Sequence, residues 1–283
     1  MSVPVFYMGQ MVADSQAYSP SAAKPAQVVA DWRHHKLPIQ LFKFDPLTRD
    51  DIALAHKRQF VDDVLNCVRS NGFGNTSAEV AASLPYTTGA MTAAVFEAYA
   101  RGSVACAPVS GFHHAGYDFA GGFCTFNGLM IAAITLRNVM NRDLHIGILD
   151  LDAHMGNGTE DIARKLNTRW LRHHSLGAMA LSSDDADAYL RTLPGIMDMY
   201  AGCDLLIYQA GADCHINDPL GGVFTTEQMA KRDRIVFQYC KDMGIPVAWV
   251  LAGGYQRDEQ GTIEPVLALH RQTMDICAQI YGA

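Results

Sequence analysis

His145-Ile146-Gly147-Ile148-Leu149-Asp150-Leu151-Asp152-Ala153-His154 is the stretch on which the fold turns. Its first half is short and almost wholly apolar, as a strand buried on both faces of a parallel sheet must be. It then runs into two acids and a histidine. The same grammar returns at Asp204 to Gln209, an apolar run followed by Gly211 and Asp213, and at Pro246 to Leu251, followed by Gly253, Gly254 and Tyr255. In open α/β sheets ligands bind beyond the carboxyl ends of the strands, and the polar clusters of this chain sit at those ends.

Working outward, Val3 to Met8 predicts a short strand, Pro25 to His34 a helix and Pro38 to Phe44 a second extended run. Thr48 with Asp51 makes a capping box that opens an amphipathic helix expected to reach Leu65. Ala90 to Arg101 carries a helical period, and Ser103 to Pro108 is extended and feeds a Gly/His loop from Gly111 to Gly122. Gly128 to Asn141 reads as a helix packed on both sides, and Thr225 with Gln228 opens another through Met243. Strands alternating with helices imply a mostly parallel sheet covered on both faces, a three-layer α/β/α sandwich. No linker or composition shift divides the chain, so residues 1–283 are expected to form one domain.

Apolar residues make up 49% of the 283 and charged ones 18%, enough apolar material for a substantial core. The net charge of −7 and the absence of a basic stripe argue against nucleic acid as a partner. Seven cysteines stand singly with no CxxC pair, the pattern of core thiols in a reducing compartment. No apolar run approaches the ~20 residues of a membrane span, and Met1 to Gln10 lacks a basic leader, so a cytoplasmic protein away from membranes is expected. Whether it is a monomer or a homo-oligomer is left open by the sequence.

In an extended chain, residues two apart share a face, so Asp152 and His154 can offer one oxygen and one nitrogen to a metal. A DxDxH run is as often structural or capping, and Asp213 alone could be a turn acid or helix cap. Together they make an Asp/His/Asp set with a position left for water or substrate, the pattern of a catalytic zinc. His113-His114, Gly-flanked after an apolar run, can supply a base and an electrostatic partner beside a metal. The other pairs, His34-His35 and His173-His174, read as solvated. In Gly253-Gly254-Tyr255 the small residues permit close backbone approach and the phenol can meet a developing oxyanion, although such a motif is more often merely a turn.

In this order the segments resemble the histone deacetylase and acetylpolyamine amidohydrolase family: Gly111-Phe112-His113-His114-Ala115, Gly122-Phe123-Cys124-Thr125-Phe126-Asn127, Asp150 to Thr159, Gly211-Ala212-Asp213, Asp218-Pro219-Leu220-Gly221-Gly222 and Gly253-Gly254-Tyr255. The resemblance runs over nearly the whole chain and implies the arginase/deacetylase-like α/β fold. It implies one zinc ion (Zn2+) per chain on Asp152, His154 and Asp213, with His114 as general base and acid and His113 as electrostatic partner. Asp150 would then orient His113, Asn157 would orient His114, and Tyr255 would polarise the acyl carbonyl. Gly122 and Phe123 would line the substrate channel. It also implies a structural potassium ion (K+), for which Ser175 is the candidate ligand. The implied substrate is an acyl-lysine peptide or protein, or another acetylated amine.

Several positions depart from the commonest family pattern. Met155 replaces a second histidine, Asn157 replaces an aspartate carried by some members, and 169–187 lacks the usual tunnel aromatic. Leu220 stands where acetylpolyamine-specialised members place an acid, which leans toward acyl-lysine; acetylpolyamines and small N-acetylated metabolites are the alternative. Gly156 occupies the place of an extra metal-binding aspartate in the arginases, which disfavours a binuclear ureohydrolase. A silent acyl-lysine binding module is the reading from another class, and it needs neither the His pair nor Tyr255.

Overall fold

A computed structural model describes residues 2–282; Met1 and Ala283, the ends of the expected domain, lie outside the described residues. Among them, seven strands form one sheet: β1 (Val3–Phe6), β2 (Ile39–Phe42), β3 (Val104–Ala107), β4 (Ile146–Asp150), β5 (Leu171–Ser175), β6 (Leu205–Gln209) and β7 (Val247–Val250). The order is β2-β1-β3-β7-β6-β4-β5, and every pair is parallel. The three runs singled out by their polar ends are thus neighbours, with β6 between β4 and β7. At ~4.8 Å per strand spacing, side chains leaving β4 and β7 begin only about 10 Å apart, within reach of one site.

Alternation along each strand divides the core in two. Leu149, Leu206, Tyr208 and Trp249 face one side with Trp32 of α1 (Lys24–His34), Tyr189 of α7 (Ala186–Met197), Phe237 of α8 (Thr226–Met243) and Met274 of α9 (Glu264–Gly282). Ile146, Ile148, Ile207 and Val250 face the other, against Phe60 of α3 (Arg58–Leu65), Met91 of α4 (Ala78–Arg101), Leu129 of α5 (Gly128–Met140) and Ile162 of α6 (Asn157–Lys165). Burial on both faces is why these strands carry almost no polar residue before their ends.

The helix expected from Thr48 to Leu65 is in fact two. The capping box opens only α2 (Arg49–Ile52), and a turn separates it from α3. That turn drives His56 inward, where its Nδ1 donates to the Gly116 carbonyl at 2.8 Å and its Nε2 accepts from the Asn127 amide at 2.8 Å. Lys57 N–H adds a bond to the Tyr117 carbonyl. The helix is therefore broken in favour of tethers to the Gly/His loop, a long-range gain that local periodicity cannot reveal.

Helix α4, capped by Ser77, begins at Ala78, well before the expected Ala90, and continues through Pro85. The carbonyls near that proline are used elsewhere: Thr88 Oγ1 donates to Leu84 and Leu47 N–H to Pro85. β5 lies at the sheet edge, where one-sided pairing allows the polar sequence Leu171-Arg172-His173-His174-Ser175. No helix among the described residues is long and apolar enough to cross a membrane.

Candidate active site

The apolar part of β4 ends at Asp150, and the chain turns there because the polar side chains that follow find donors at the sheet end. Asp150 is fully buried; its Oδ2 accepts from His113 Nδ1 at 2.7 Å, and its Oδ1 accepts from Gln209 Nε2 at 2.9 Å and from Asp152 N–H at 3.2 Å. Each of those bonds offsets part of the cost of a buried carboxylate. Asp152 Oδ2 accepts from Gly253 N–H at 2.8 Å, and Asp213 Oδ1 from Ala153 N–H at 3.1 Å. Arg232 of α8 donates to the carbonyls of Leu151 and Gly211, fastening the ends of β4 and β6 together.

Asp152, His154 and Asp213 converge, with one ligand atom from each inside a 4.8 Å cluster. His154 Nδ1 lies 3.0 Å from Asp152 Oδ1 and 3.1 Å from Asp213 Oδ2, so imidazole and both carboxylates aim at one point. The hydrogen bonds to Asp152 and Asp213 lift the His154 pKa to about 11, while burial and the neighbouring Asp152 push Asp213 upward. The cluster therefore draws positive charge to its centre. Gly253 leaves the room for it: a Cβ there would lie 2.1 Å from Asp213 Oδ2 and 2.8 Å from Asp152 Oδ2. Two hard oxygens, one imidazole nitrogen and a cradle kept clear by glycine fit a zinc ion.

The loop from Gly111 to Gly122 is held on several sides. Besides His56 and Lys57, Asn127 Nδ2 donates to Ala115, and the second and third amides of α6, Gly158 and Thr159, donate to the His113 carbonyl at 2.9 and 3.1 Å. His113 is buried; burial presses it toward neutrality, but Asp150 and Asp152 outweigh that and raise its pKa to about 9. His114, less buried, has its pKa lowered by desolvation and by His113 beside it. Its Nδ1 lies 2.7 Å from Asn157 Oδ1; an amide oxygen can only accept, so Nδ1 carries the proton and Nε2 the lone pair. The two rings lie tilted at 47° with their centres 4.0 Å apart, and His114 stands 5.8 Å from His154, ring centre to ring centre.

Gly122 adopts φ +53, and a Cβ on it would strike the His114 ring at 2.3 Å. Phe123 follows in the left-handed region at φ +63 and sets its ring 5.6 Å from Tyr255, with Phe73 continuing the aromatic row at 5.9 Å. Burial raises the Tyr255 phenol well above its ordinary pKa, keeping it a proton donor. Leu220 lies 43% exposed on the loop after Asp213, and Met155 is 41% exposed beside His154. Ser175 pairs with Asp150 across β4 and β5, and its Oγ accepts from Gly156 N–H at 2.9 Å.

Three features escaped the sequence reading. Asp218 accepts from the Tyr255 and Gln256 amides at 2.7 and 3.2 Å, which its place in the Asp218 to Gly222 motif could have signalled. Lys24, in no motif, is fully buried beneath the site; burial lowers its pKa to about 8 against the pull of Asp213, Asp152 and Asp218. The third is a correction: His173-His174 is not a solvated pair. His173 packs beside Asp150 and Gly156 with a buried Nε2, and His174 Nε2 lies 3.2 Å from Tyr189 Oη. His34-His35 does lie at the surface.

An uncharacterized protein of Picosynechococcus is 32% identical over 192 residues, 61% of this chain and 63% of its own length. Histone deacetylase 2 of Arabidopsis thaliana is 28% identical over 173 residues, 54% of this chain and 44% of its own. These alignments span less than two thirds of those relatives. An acetylpolyamine aminohydrolase from Burkholderia pseudomallei superposes with a TM-score of 0.75 at 17% identity, covering 99% of each chain, which establishes the arginase/deacetylase-like fold. Residues 20–176 and 178–267 match the histone deacetylase domain, a stretch that includes the ends of β4, β6 and β7, the His113-His114 loop and Lys24. The chain therefore belongs to the histone deacetylase domain family.

Proposed function

We propose that the chain hydrolyses an acyl amide, with N-acetyl-lysine in a peptide or protein as its substrate. The observation that carries this reading is the meeting of a mononuclear Asp/His/Asp cluster with a differentiated histidine pair, one ring bound to a carboxylate and the other to an amide, each at 2.7 Å. A binding module would have no use for that differentiation. Zinc held by Asp152, His154 and Asp213 would act as a Lewis acid on the acyl carbonyl and lower the pKa of the attacking water toward neutrality.

His114, with its lowered pKa and Nε2 lone pair, is suited to take a proton from water at neutral pH. Asn157 fixes that tautomer without adding the charge that would make the ring a stickier base. His113, bound to Asp150, stays fixed and presents positive character to the anionic transition state. As water oxygen bonds to the acyl carbon, the carbonyl oxygen becomes an oxyanion to which the Tyr255 hydroxyl donates. The C–N bond then breaks, the proton taken by His114 passes to the amine nitrogen, and a carboxylate and a free amine leave. Phe123 offers an apolar wall for a lysine methylene chain, Gly122 a backbone carbonyl, and Leu220 an uncharged rim. Ser175, next to Asp150, would serve a potassium ion below the strand end.

The test is turnover of a fluorogenic acetyl-lysine or trifluoroacetyl-lysine peptide by the zinc-loaded chain, set beside acetylpolyamines and small N-acetylated metabolites. Hydroxamate inhibition and loss of turnover in His114→Ala are expected. Full turnover after both His114→Ala and chelation would sink the mechanism, and turnover of acetylpolyamines alone would overturn the lysine assignment.

A further inference from the structure

Lys24 occupies a place that an ammonium group should avoid. It is the first residue of α1, where the helix dipole disfavours a cation, and it is fully buried, where desolvation disfavours any charge. An apolar residue would serve α1 better on both counts. What holds the ammonium there lies across the chain: Nζ donates to the carbonyl of Ala252 at 2.7 Å, within the field of Asp152, Asp213 and Asp218.

Ala252 is the hinge between β7 and the segment that bears Tyr255. It sits at φ +56, in the left-handed region that a non-glycine residue enters at a cost of about 1 kcal/mol or more. Past it the backbone is pinned at Gly253, Tyr255 and Gln256. Gly253 N–H donates to Asp152, the Gly253 carbonyl accepts from Ala212 N–H at 3.0 Å, and the Tyr255 and Gln256 amides donate to Asp218. Lys24 holds the first point of that series. Arg232 does the equivalent for β4 and β6 by gripping the Leu151 and Gly211 carbonyls, so a buried cation lies under the end of each of the three strands that feed the site.

We propose that Lys24 is a positioning residue for the oxyanion donor: by binding the Ala252 carbonyl it locks the left-handed turn that aims Tyr255, while its charge balances the carboxylates around the turn. The inference rests on the deacylase reading for its kinetic part, and its structural part can be judged without any activity.

Two measurements on the zinc-loaded chain test it. Hydrogen–deuterium exchange followed by mass spectrometry should show faster exchange in the 253–256 peptide of Lys24→Met, and near wild-type protection in Lys24→Arg, whose guanidinium can still donate to Ala252. In turnover, Lys24→Met should lower kcat about tenfold with KM within about twofold, because Tyr255 acts on the transition state more than on bound substrate. Lys24→Arg should recover most of the loss. The added effect of Lys24→Met in a Tyr255→Phe background should shrink to less than about twofold, since residues acting through one another are not additive.

Should Lys24→Met fold poorly by circular dichroism, Lys24→Gln, which is shorter and uncharged, carries the same comparison. Unchanged exchange at 253–256 in a folded variant would refute the tether. Fully multiplicative losses in the double variant would refute action through Tyr255. A wild-type chain that turns over no acyl amide would overturn the deacylase reading and leave the exchange result to decide the tether.

Discussion

Gly253→Ala is the sharpest probe of the metal cradle, because only space forbids it. Gly253 is not in the left-handed region, so alanine meets no backbone strain there. The added methyl would lie 2.1 Å from Asp213 Oδ2 and 2.8 Å from Asp152 Oδ2, closer than carbon and oxygen can stand, and one of these oxygens is a ligand atom of the cluster. At least one carboxylate must leave its position, and zinc affinity should fall by about 100-fold or more, the upper range seen when ligand orientation is disturbed. With zinc at 100 times the wild-type dissociation constant, binding stabilises the wild type by about 2.7 kcal/mol, and a 100-fold weaker site by only about 0.4 kcal/mol. Spread over an unfolding entropy of about 2.1 cal/mol/K per residue, these correspond to rises in Tm of about 4–5 °C and under 1 °C. The assay is calorimetric melting of the stripped protein with and without zinc, beside a competitive chelator titration. A folded Gly253→Ala that keeps the full rise in Tm and the wild-type affinity would refute the placement of the metal between Asp152 and Asp213.

Other outcomes follow from the same geometry. Because His114 must be unprotonated to act as base and its pKa is lowered, the acid limb of kcat/KM should fall below pH ~6.5; Asn157→Asp, by favouring the imidazolium, should move that limb upward, and an unmoved limb would count against His114 as base. His56 is buried neutral, donating through Nδ1 and accepting through Nε2, with its pKa pushed down to about 4. The unfolded chain binds the extra proton first, so stability present above pH ~6.5 is lost as pH falls toward 4, by about 2 kcal/mol at pH 5; urea unfolding at pH 5 and 7 measures it, and His56→Gln should flatten the difference. Leu220→Glu should raise kcat/KM for acetylpolyamines relative to acetyl-lysine peptide by up to about fivefold at low salt, the worth of an exposed ion pair, and no change in the ratio would remove Leu220 from the substrate's path.

Much of the fold was legible because burial on both faces leaves a strand almost no choice of residue. The runs at 145–149, 204–209 and 246–251 announce β4, β6 and β7, and the capping box at Thr225 and Gln228 marks the start of α8 correctly. The edge strand β5 went unseen because it pairs on one side only and can carry arginine and histidines. Helix α4 was expected only over Ala90 to Arg101, yet it starts at Ala78 and runs through Pro85. The break between α2 and α3 could not be read locally, since its cause lies in Gly116, Tyr117 and Asn127.

The same division runs through the site. Groups that would touch metal or substrate sit in short motifs, because one strand end or one turn must present several of them together: Asp152 and His154 just past the end of β4, His113 and His114 from one loop. The groups that hold those side chains in place obey no such rule. A buried carboxylate needs a donor at the right distance and is indifferent to where in the chain that donor arises, so Gln209 reaches Asp150, Gly253 reaches Asp152, and Lys24 reaches past all of them to the Ala252 carbonyl. Spacing in sequence therefore finds the reacting groups, while only the fold finds what orients them. The His113 and His114 contrast depends on both. The tandem is visible as two letters, yet the difference that would make one a base and the other a fixed partner comes from a carboxylate on β4 and an amide at the head of α6.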